Sequence, residues 1–437
     1  MIEINQGLLD PNRVVNKVGS IISSQVADNP ERARWLLQTI YGSLKALKYV
    51  PGKPTVSNTL WHYNAAVSSV IEDAFKRPSN TVLINLFYPC ELFTALDLTP
   101  LFPEAVSGYV ANTACSSVFA DYAEDHLVPD SLCSYHTVMI GMVESGIYPK
   151  PLAVANTSSP CDATRLSYRR VADFYGIPQN VIDIPNTRGD EAIAYVADQL
   201  RDAVRWLEEL SGKKLQEERL KEAVAKSNDV LEAMRCYMNL RSEASLPTTT
   251  TSELAFILAT HCMSSAPGTD RFMADMLELV MTSPRETRSV PRIFWVHVIP
   301  NWQPSIRAIF DKAAKAEIVG CDLIIDSLPE MDPDRPYESL AKRLVCNSNS
   351  GQGIDRIEDS LKGARACGAD GIVLFCHWGC KQTTGLSGIA KEIFEDAGFP
   401  TLVLDGDACD PRNVSDGQMV TRINAFLEQL SGKDATS

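Results

Sequence analysis

The sequence predicts an α/β fold with two parallel-sheet units, a helical N-terminus and a helical middle segment. Three observations predict it. Short apolar runs of the buried-strand type recur at residues 81–87, 151–156, 291–298, 371–375 and 401–404. Runs of helical period follow them, so strands and helices alternate in two regions, which favours mostly parallel sheets. Between those regions, residues 191–281 keep a helical period almost throughout.

Residues 1–80 read as a helical N-terminal segment. Trp35, Leu36, Ile40 and Tyr41 recur near one face, Pro51 and Gly52 interrupt the period, and Ser57 to Lys76 resumes it. Residues 81–190 read as the first α/β unit. Its strand at 81–87 ends at Pro89 and Cys90, and a helix begins at Glu91. Residues 108–111 read as another strand. Pro129, Asp130 and Ser131 are start signals for a helix that runs to Glu144. The strand at 151–156 leads to Pro160, Cys161 and Asp162, then to a helix from Ala163 to Tyr175 that Gly176 closes. Residues 181–184 are a further strand.

Residues 191–285 are the helical segment. Val196, Leu200, Val204, Leu207 and Leu210 share one face, and 246–252 is a loop carrying a helix cap. Residues 283–289 read as a linker. Residues 290–437 read as the second α/β unit, with strands at 291–298, 322–326, 371–375 and 401–404 and helices at 304–316, 354–367 and 387–396. A closing helix buries Val420, Ile423, Phe426, Leu427 and Leu430. Both units are of the open, Rossmann- or flavodoxin-like kind, in which ligands collect beyond the C-terminal ends of the strands.

Composition sets limits on function. The chain has 437 residues, 45% hydrophobic and 22% charged, enough for two domains and a large core. A net charge of −14 argues against nucleic-acid or anionic-membrane binding, because phosphates need a basic surface. The first residues mix charges into apolar positions, and no apolar run approaches the ~18 residues of a membrane span. The chain reads as cytoplasmic, so its 12 cysteines are buried thiols, metal ligands or catalytic thiols rather than disulfides.

Cys90, Cys133, Cys161 and Cys380 each lie at or just before a predicted helix start. That position favours thiolate, the form that binds metal. No C-x-x-C occurs, so zinc ribbons and ferredoxin-type runs are disfavoured. A site made from these residues would have to be assembled by tertiary structure. There is no P-loop, no H-E-x-x-H and no G-x-S-x-G, and Gly351-Gln352-Gly353 lacks the third glycine of a dinucleotide fingerprint. His377, beside Cys376 and Cys380, is either a proton donor or a satisfied loop histidine.

Five pieces, in this order, carry a resemblance. They are Pro89-Cys90-Glu91-Leu92; Leu132-Cys133; Pro160-Cys161-Asp162; His377-Trp378-Gly379-Cys380-Lys381; and Leu404 to Asp407 with Arg412, Gln418 and Arg422. Over roughly residues 80–430 the chain resembles the iron–sulfur subunits of 2-hydroxyacyl-CoA dehydratases and benzoyl-CoA reductases, with their double-cubane relatives. The resemblance implies a [4Fe–4S] cluster on Cys133, Cys161 and Cys380 with one iron left open. It also implies a separate ATP-hydrolysing iron–sulfur activator that supplies low-potential electrons, which agrees with the missing P-loop. In the dehydratases one electron goes to a thioester-activated substrate, forming a ketyl radical that expels hydroxide.

Cys90, Cys115 and Cys376 are thiols beyond the matched set. Together the six suggest the [8Fe–9S] double-cubane branch, which reduces small molecules, with Cys346 as a substitute for one of the extra three. The alternatives are a [4Fe–4S] subunit of a 2-hydroxyacyl-CoA dehydratase, a non-catalytic electron carrier or cluster-assembly protein, and a zinc or non-metal α/β protein. Cys236, Cys262, Cys321, Cys367 and Cys409 are assigned to packing. Glu91, His377 and Lys381 are the expected proton or hydrogen-bond donors, and a homodimer is expected.

Overall fold

In the computed structural model, residues 11–26, 28–46, 54–285, 289–326 and 328–433 are described. The first sheet contains β1 (Thr81–Ile84), β2 (Thr99–Leu101), β3 (Ala153–Thr157) and β4 (Gln179–Ile182). The second contains β5 (Arg292–Val296), β6 (Glu317–Cys321), β7 (Gly371–His377) and β8 (Thr401–Gly406). The spatial orders are β2-β1-β3-β4 and β6-β5-β7-β8, and every pairing is parallel. Each order reverses once, between β1 and β3 and between β5 and β7. The crevices at the C-terminal ends of those strand pairs are the switch points where such sheets take ligands.

β1, β3, β5 and β7 are buried along their whole length, which explains their continuous apolar runs. Two expected strands are different. Residues 108–111 end the helix Pro103–Ala111, which starts with proline at its first turn, where a missing N–H costs nothing. β2 precedes that helix, and three residues with Pro100 at their centre give little strand signal. In the second unit the strand is 317–321, and Asp322 begins a helical turn instead of a strand. Two features hide β6. It buries Glu317, which the Arg241 guanidinium meets at 2.8 Å. It also contains Gly320, where a Cβ would stand 2.9 Å from Cys367 Sγ.

Helices Asp190–Ser211, Glu217–Arg241, Thr250–Thr260 and Thr269–Thr282 form the middle segment. Val196, Leu200, Val204 and Leu207 are buried along the first of them, and Leu210 is half-buried. Thr249 caps the third in a reciprocal box with Ser252. In the N-terminal helix Pro30–Ala46, Ala33 and Leu37 face inward. Trp35 is 60% exposed and Leu36 is half-buried; the side chains of Ile40 and Tyr41 lie outside the described residues. In the closing helix Met419 is buried and Val420 is half-buried.

Buried ion pairs join the parts. The guanidinium of Arg343, on the helix Pro336–Val345, donates to both carboxylate oxygens of Glu91 at 2.8 and 3.0 Å. Ser227 of the middle segment adds a third hydrogen bond at 2.8 Å. Both charged side chains are buried, so neither can be removed alone without leaving the other uncompensated. Arg343→Met should therefore cost about 3–5 kcal/mol in urea unfolding. Glu91→Leu combined with Arg343→Met should recover most of that loss, because it removes the stranded carboxylate.

Candidate functional site

Both switch points open on one cavity. Asn85 to Phe87, after β1, and Pro160 and Cys161, after β3, line it from the first sheet. His297 and Val298, after β5, and His377 and Cys380, at the end of β7, line it from the second. Cys133 completes a set of three cysteines around the same space. Each sits at the N-cap of a helix, Ser134–Glu144, Asp162–Tyr175 or the short Lys381–Thr384, and none of the three caps its helix through the side chain.

Gly379 shows how closely two of them are held. Its φ is +73°, and a Cβ there would stand 2.4 Å from the backbone nitrogen of Cys133. Only glycine lets the loop that carries Cys380 lie against the chain at Cys133. Trp378 secures that loop by donating its indole N–H to the Asp130 carbonyl at 2.9 Å, while its backbone N–H donates to the Gly406 carbonyl at 2.8 Å. Hydroxyls stand beside two of the sulfurs, Thr164 Oγ1 at 3.4 Å from Cys161 and Thr383 Oγ1 at 3.6 Å from Cys380.

The electrostatics reflect burial and crowding. Burial pushes the Cys133 thiol well up, and the neighbouring sulfurs of Cys380 and Cys161 add to the rise. Burial also raises Cys161, against the hydrogen bond from Thr164. Three histidines line the cavity, and burial lowers each of them, so all three are neutral at pH 7. His377 Nδ1 accepts the Ala408 N–H at 3.1 Å, which leaves the proton on Nε2, 3.3 Å from Ser134 Oγ. Ser134 in turn donates to Asp407 at 2.6 Å. His297 has φ +84°, a conformation rare outside glycine that clusters at functional sites. Its N–H donates to Asp322 at 2.6 Å, and Asp322 also pairs with Arg356 at 2.7 Å.

Five expected site residues lie elsewhere. Cys90 faces away, with its sulfur 3.3 Å from both Ser264 Oγ and the His261 carbonyl. Cys115 packs 2.9 Å from Thr113 Oγ1, and burial pushes its thiol up to about 11. Cys376 precedes His377 in β7, and successive strand residues point to opposite faces, so the two cannot both line the cavity. Burial, then Asp405, pushes its thiol up to about 11. Glu91 is committed to Arg343: burial would raise its carboxyl, but the guanidinium outweighs burial and holds it below the usual range. Lys381 is exposed and lines no part of the cavity. Cys346 is half-buried at the end of Pro336–Val345, also away from the cavity. Among the described residues, no three His, Cys, Asp or Glu converge to hold a single metal ion, and no helix is long and apolar enough to cross a membrane.

A model of the family described as 2-hydroxyglutaryl-CoA dehydratase, D-component, matches residues 85–430. The chain belongs to this family. It is 25% identical to the (R)-phenyllactyl-CoA dehydratase alpha subunit of Clostridium sporogenes, over 79% of this chain and 88% of that protein. It is 24% identical to the (R)-2-hydroxyglutaryl-CoA dehydratase subunit alpha of Acidaminococcus fermentans, over 65% of this chain and 62% of that one. It is 23% identical to the (R)-2-hydroxyisocaproyl-CoA dehydratase alpha subunit of Clostridioides difficile, over 78% and 88%. The matched span of this dehydratase-family chain contains both switch points and all three cavity cysteines.

Sequence reasoning missed several cavity residues of this dehydratase-family chain: Glu104, His136, His297 and Arg356. Two had a signal. His297 ends a strand, as Cys376 does, and His136 is one helical turn after Cys133. Glu104 and Arg356 had none, because only long-range packing brings them to the site. Burial pushes the Glu104 carboxyl up to about 8. It is therefore protonated in the folded chain over a range where the unfolded chain has already lost that proton. Its contribution to stability falls as pH rises from about 4.5 to about 8. Glu104→Gln removes this term, so urea unfolding at pH 5 and pH 8 should show the variant gaining on wild type at the higher pH. Gly379→Ala should displace the Cys380 loop and destabilise the fold, read as a lower unfolding midpoint.

Proposed function

We propose that this chain is a subunit of a 2-hydroxyacyl-CoA dehydratase that holds a [4Fe–4S] cluster on Cys133, Cys161 and Cys380. One observation carries the reading: three cysteines from separate loops surround one cavity at the facing switch points of a chain that belongs to the dehydratase family. The donor set fits the group. A cubane spreads its cysteine ligands over different irons, so they surround a body instead of converging on a point. Burial, with the neighbouring sulfurs of Cys380 and Cys161, holds the Cys133 thiol well up, so it needs a cationic partner to ionise. The relatives support this reading over reduction at a six-cysteine double cubane, because Cys90, Cys115 and Cys376 lie away from the cavity and the named relatives are dehydratase subunits.

When bound, such a cluster supplies single electrons of low potential, delivered by a separate ATP-hydrolysing activator, to a thioester-activated substrate. The chain's own residues set the surroundings. Apolar walls exclude water from the reacting end of the substrate. Arg356 brings positive charge near Cys380. Thr164 and Thr383 place hydroxyls beside two sulfurs, a contact that raises the potential of a cluster held there. His377 gives its Nε2 proton to the chain through Ser134 to Asp407, which holds the ring neutral and fixed at the cavity wall.

The test is anaerobic purification with iron and sulfide analysis. Wild type should hold about four irons per chain. Serine at Cys133, Cys161 or Cys380 should abolish binding, and serine at Cys90, Cys115 or Cys376 should leave it intact. About eight irons per chain, with loss on Cys90→Ser, would establish the double-cubane reductase instead. A colourless, iron-free protein would remove both readings.

A further inference from the structure

The cavity has walls of contrasting chemistry. Leu254, Ile257 and Leu258 lie at i, i+3 and i+4 on the helix Thr250–Thr260, so they present one apolar face to the space. Leu86, Phe87 and Phe102 also line it, from the first sheet's loops. The polar side chains around it are already engaged. Asn85 bonds both the hydroxyl and the backbone N–H of Thr157, at 2.8 and 3.0 Å. Gln382 donates to the Pro160 carbonyl, and Asn349 donates to Asp326 at 2.9 Å.

Besides the cysteines, the neutral histidines and Tyr135, whose phenol burial keeps protonated, two ionisable groups among the described residues reach the cavity, and neither offers a free charge. Arg356 gives Nε and Nη2 to Asp322 at 2.8 and 2.7 Å, with Nη2 also 3.3 Å from His297 Nδ1 and Nη1 3.5 Å from Thr383 Oγ1. Glu104 is paired with Tyr168. The Tyr168 hydroxyl faces two oxygens at 2.7 Å, the Ile84 carbonyl and Glu104 Oε2. The carbonyl can only accept, so one tyrosine proton serves both contacts only if the carboxyl carries a proton of its own. Burial keeps it there at pH 7.

We infer that the cavity selects 2-hydroxyacyl thioesters with an uncharged apolar acyl group, branched-aliphatic or aryl, and rejects those with a second carboxylate. The inference rests on the dehydratase reading and goes beyond it. The relatives do not decide the matter, because their names include both an apolar and a dicarboxylic substrate. The cavity does. A second carboxylate would enter a space in which, among the described residues, no lining cation is uncommitted and the Glu104 carboxyl and three cysteines stand in the wall. An unpaired buried charge is rejected far more strongly than a missing methylene.

Binding of unreactive analogues tests this without turnover. The full chain, purified anaerobically, is titrated calorimetrically at pH 7 with 4-methylpentanoyl-CoA, 3-phenylpropionyl-CoA and glutaryl-CoA. The first two should bind at least about 30-fold more tightly than the third. Leu254→Arg, at a half-buried wall position, should narrow the gap by about tenfold by adding a cation. A folded Leu254→Met protein should keep it. Equal or tighter binding of glutaryl-CoA would overturn the inference while leaving the dehydratase reading in place. No binding of any thioester would overturn both.

Discussion

The close approach of the β7 loop to the backbone of Cys133 is the contact on which the site depends. Cys133 belongs to the first sheet's half and Cys380 to the second. They meet because Gly379 has no side chain and adopts a conformation that other residues resist. The cavity exists between the two switch points only while the two sheets face each other across this contact. The Glu91–Arg343 pair also joins the two halves, and the Arg241–Glu317 pair ties the middle helices to the second sheet, through charges that are costly to separate once buried.

That arrangement gives the polar residues two distinct duties. Glu91, Arg343, Ser227 and Ser264 form a buried hydrogen-bonded group that spans the first sheet, the middle helices and the second sheet. Arg356, Asp322 and His297 form a second group beside the cavity, and His377, Ser134 and Asp407 form a third. The first group fixes where the sheets sit. The other two fix which protons and charges the cavity presents, and the strained member of the second, His297, sits at the end of β5. The motif Pro89-Cys90-Glu91-Leu92 belongs to the first duty, although its position after a strand suggested the second.

Much of the fold was legible because the central strands are buried on both faces and read as unbroken apolar runs. The failures have local causes. Pro100 weakens the signal of β2, and Glu317 makes β6 look like a loop until Arg241 is placed beside it. In the site, Cys133, Cys161 and Cys380 stand at helix starts, but so does Cys90, and it was the family resemblance that set apart the three that line the cavity. Cys376 was misplaced because β7 continues two residues beyond Phe375, so alternation turns that thiol away from the cavity. Glu104, Arg356 and the wall formed by Leu254, Ile257 and Leu258 reach the cavity through tertiary packing, for which no local pattern exists.

The central claim is that sulfurs far apart in the chain serve one iron–sulfur group between the two sheets. Anomalous diffraction at the iron absorption edge, from crystals grown anaerobically, addresses it most directly. The account predicts one compact iron peak in the cavity, within bonding distance of the sulfurs of Cys133, Cys161 and Cys380. Iron bound at Cys90, Cys115 or Cys376, or no iron in the cavity of an intact, anaerobically prepared protein, would contradict it.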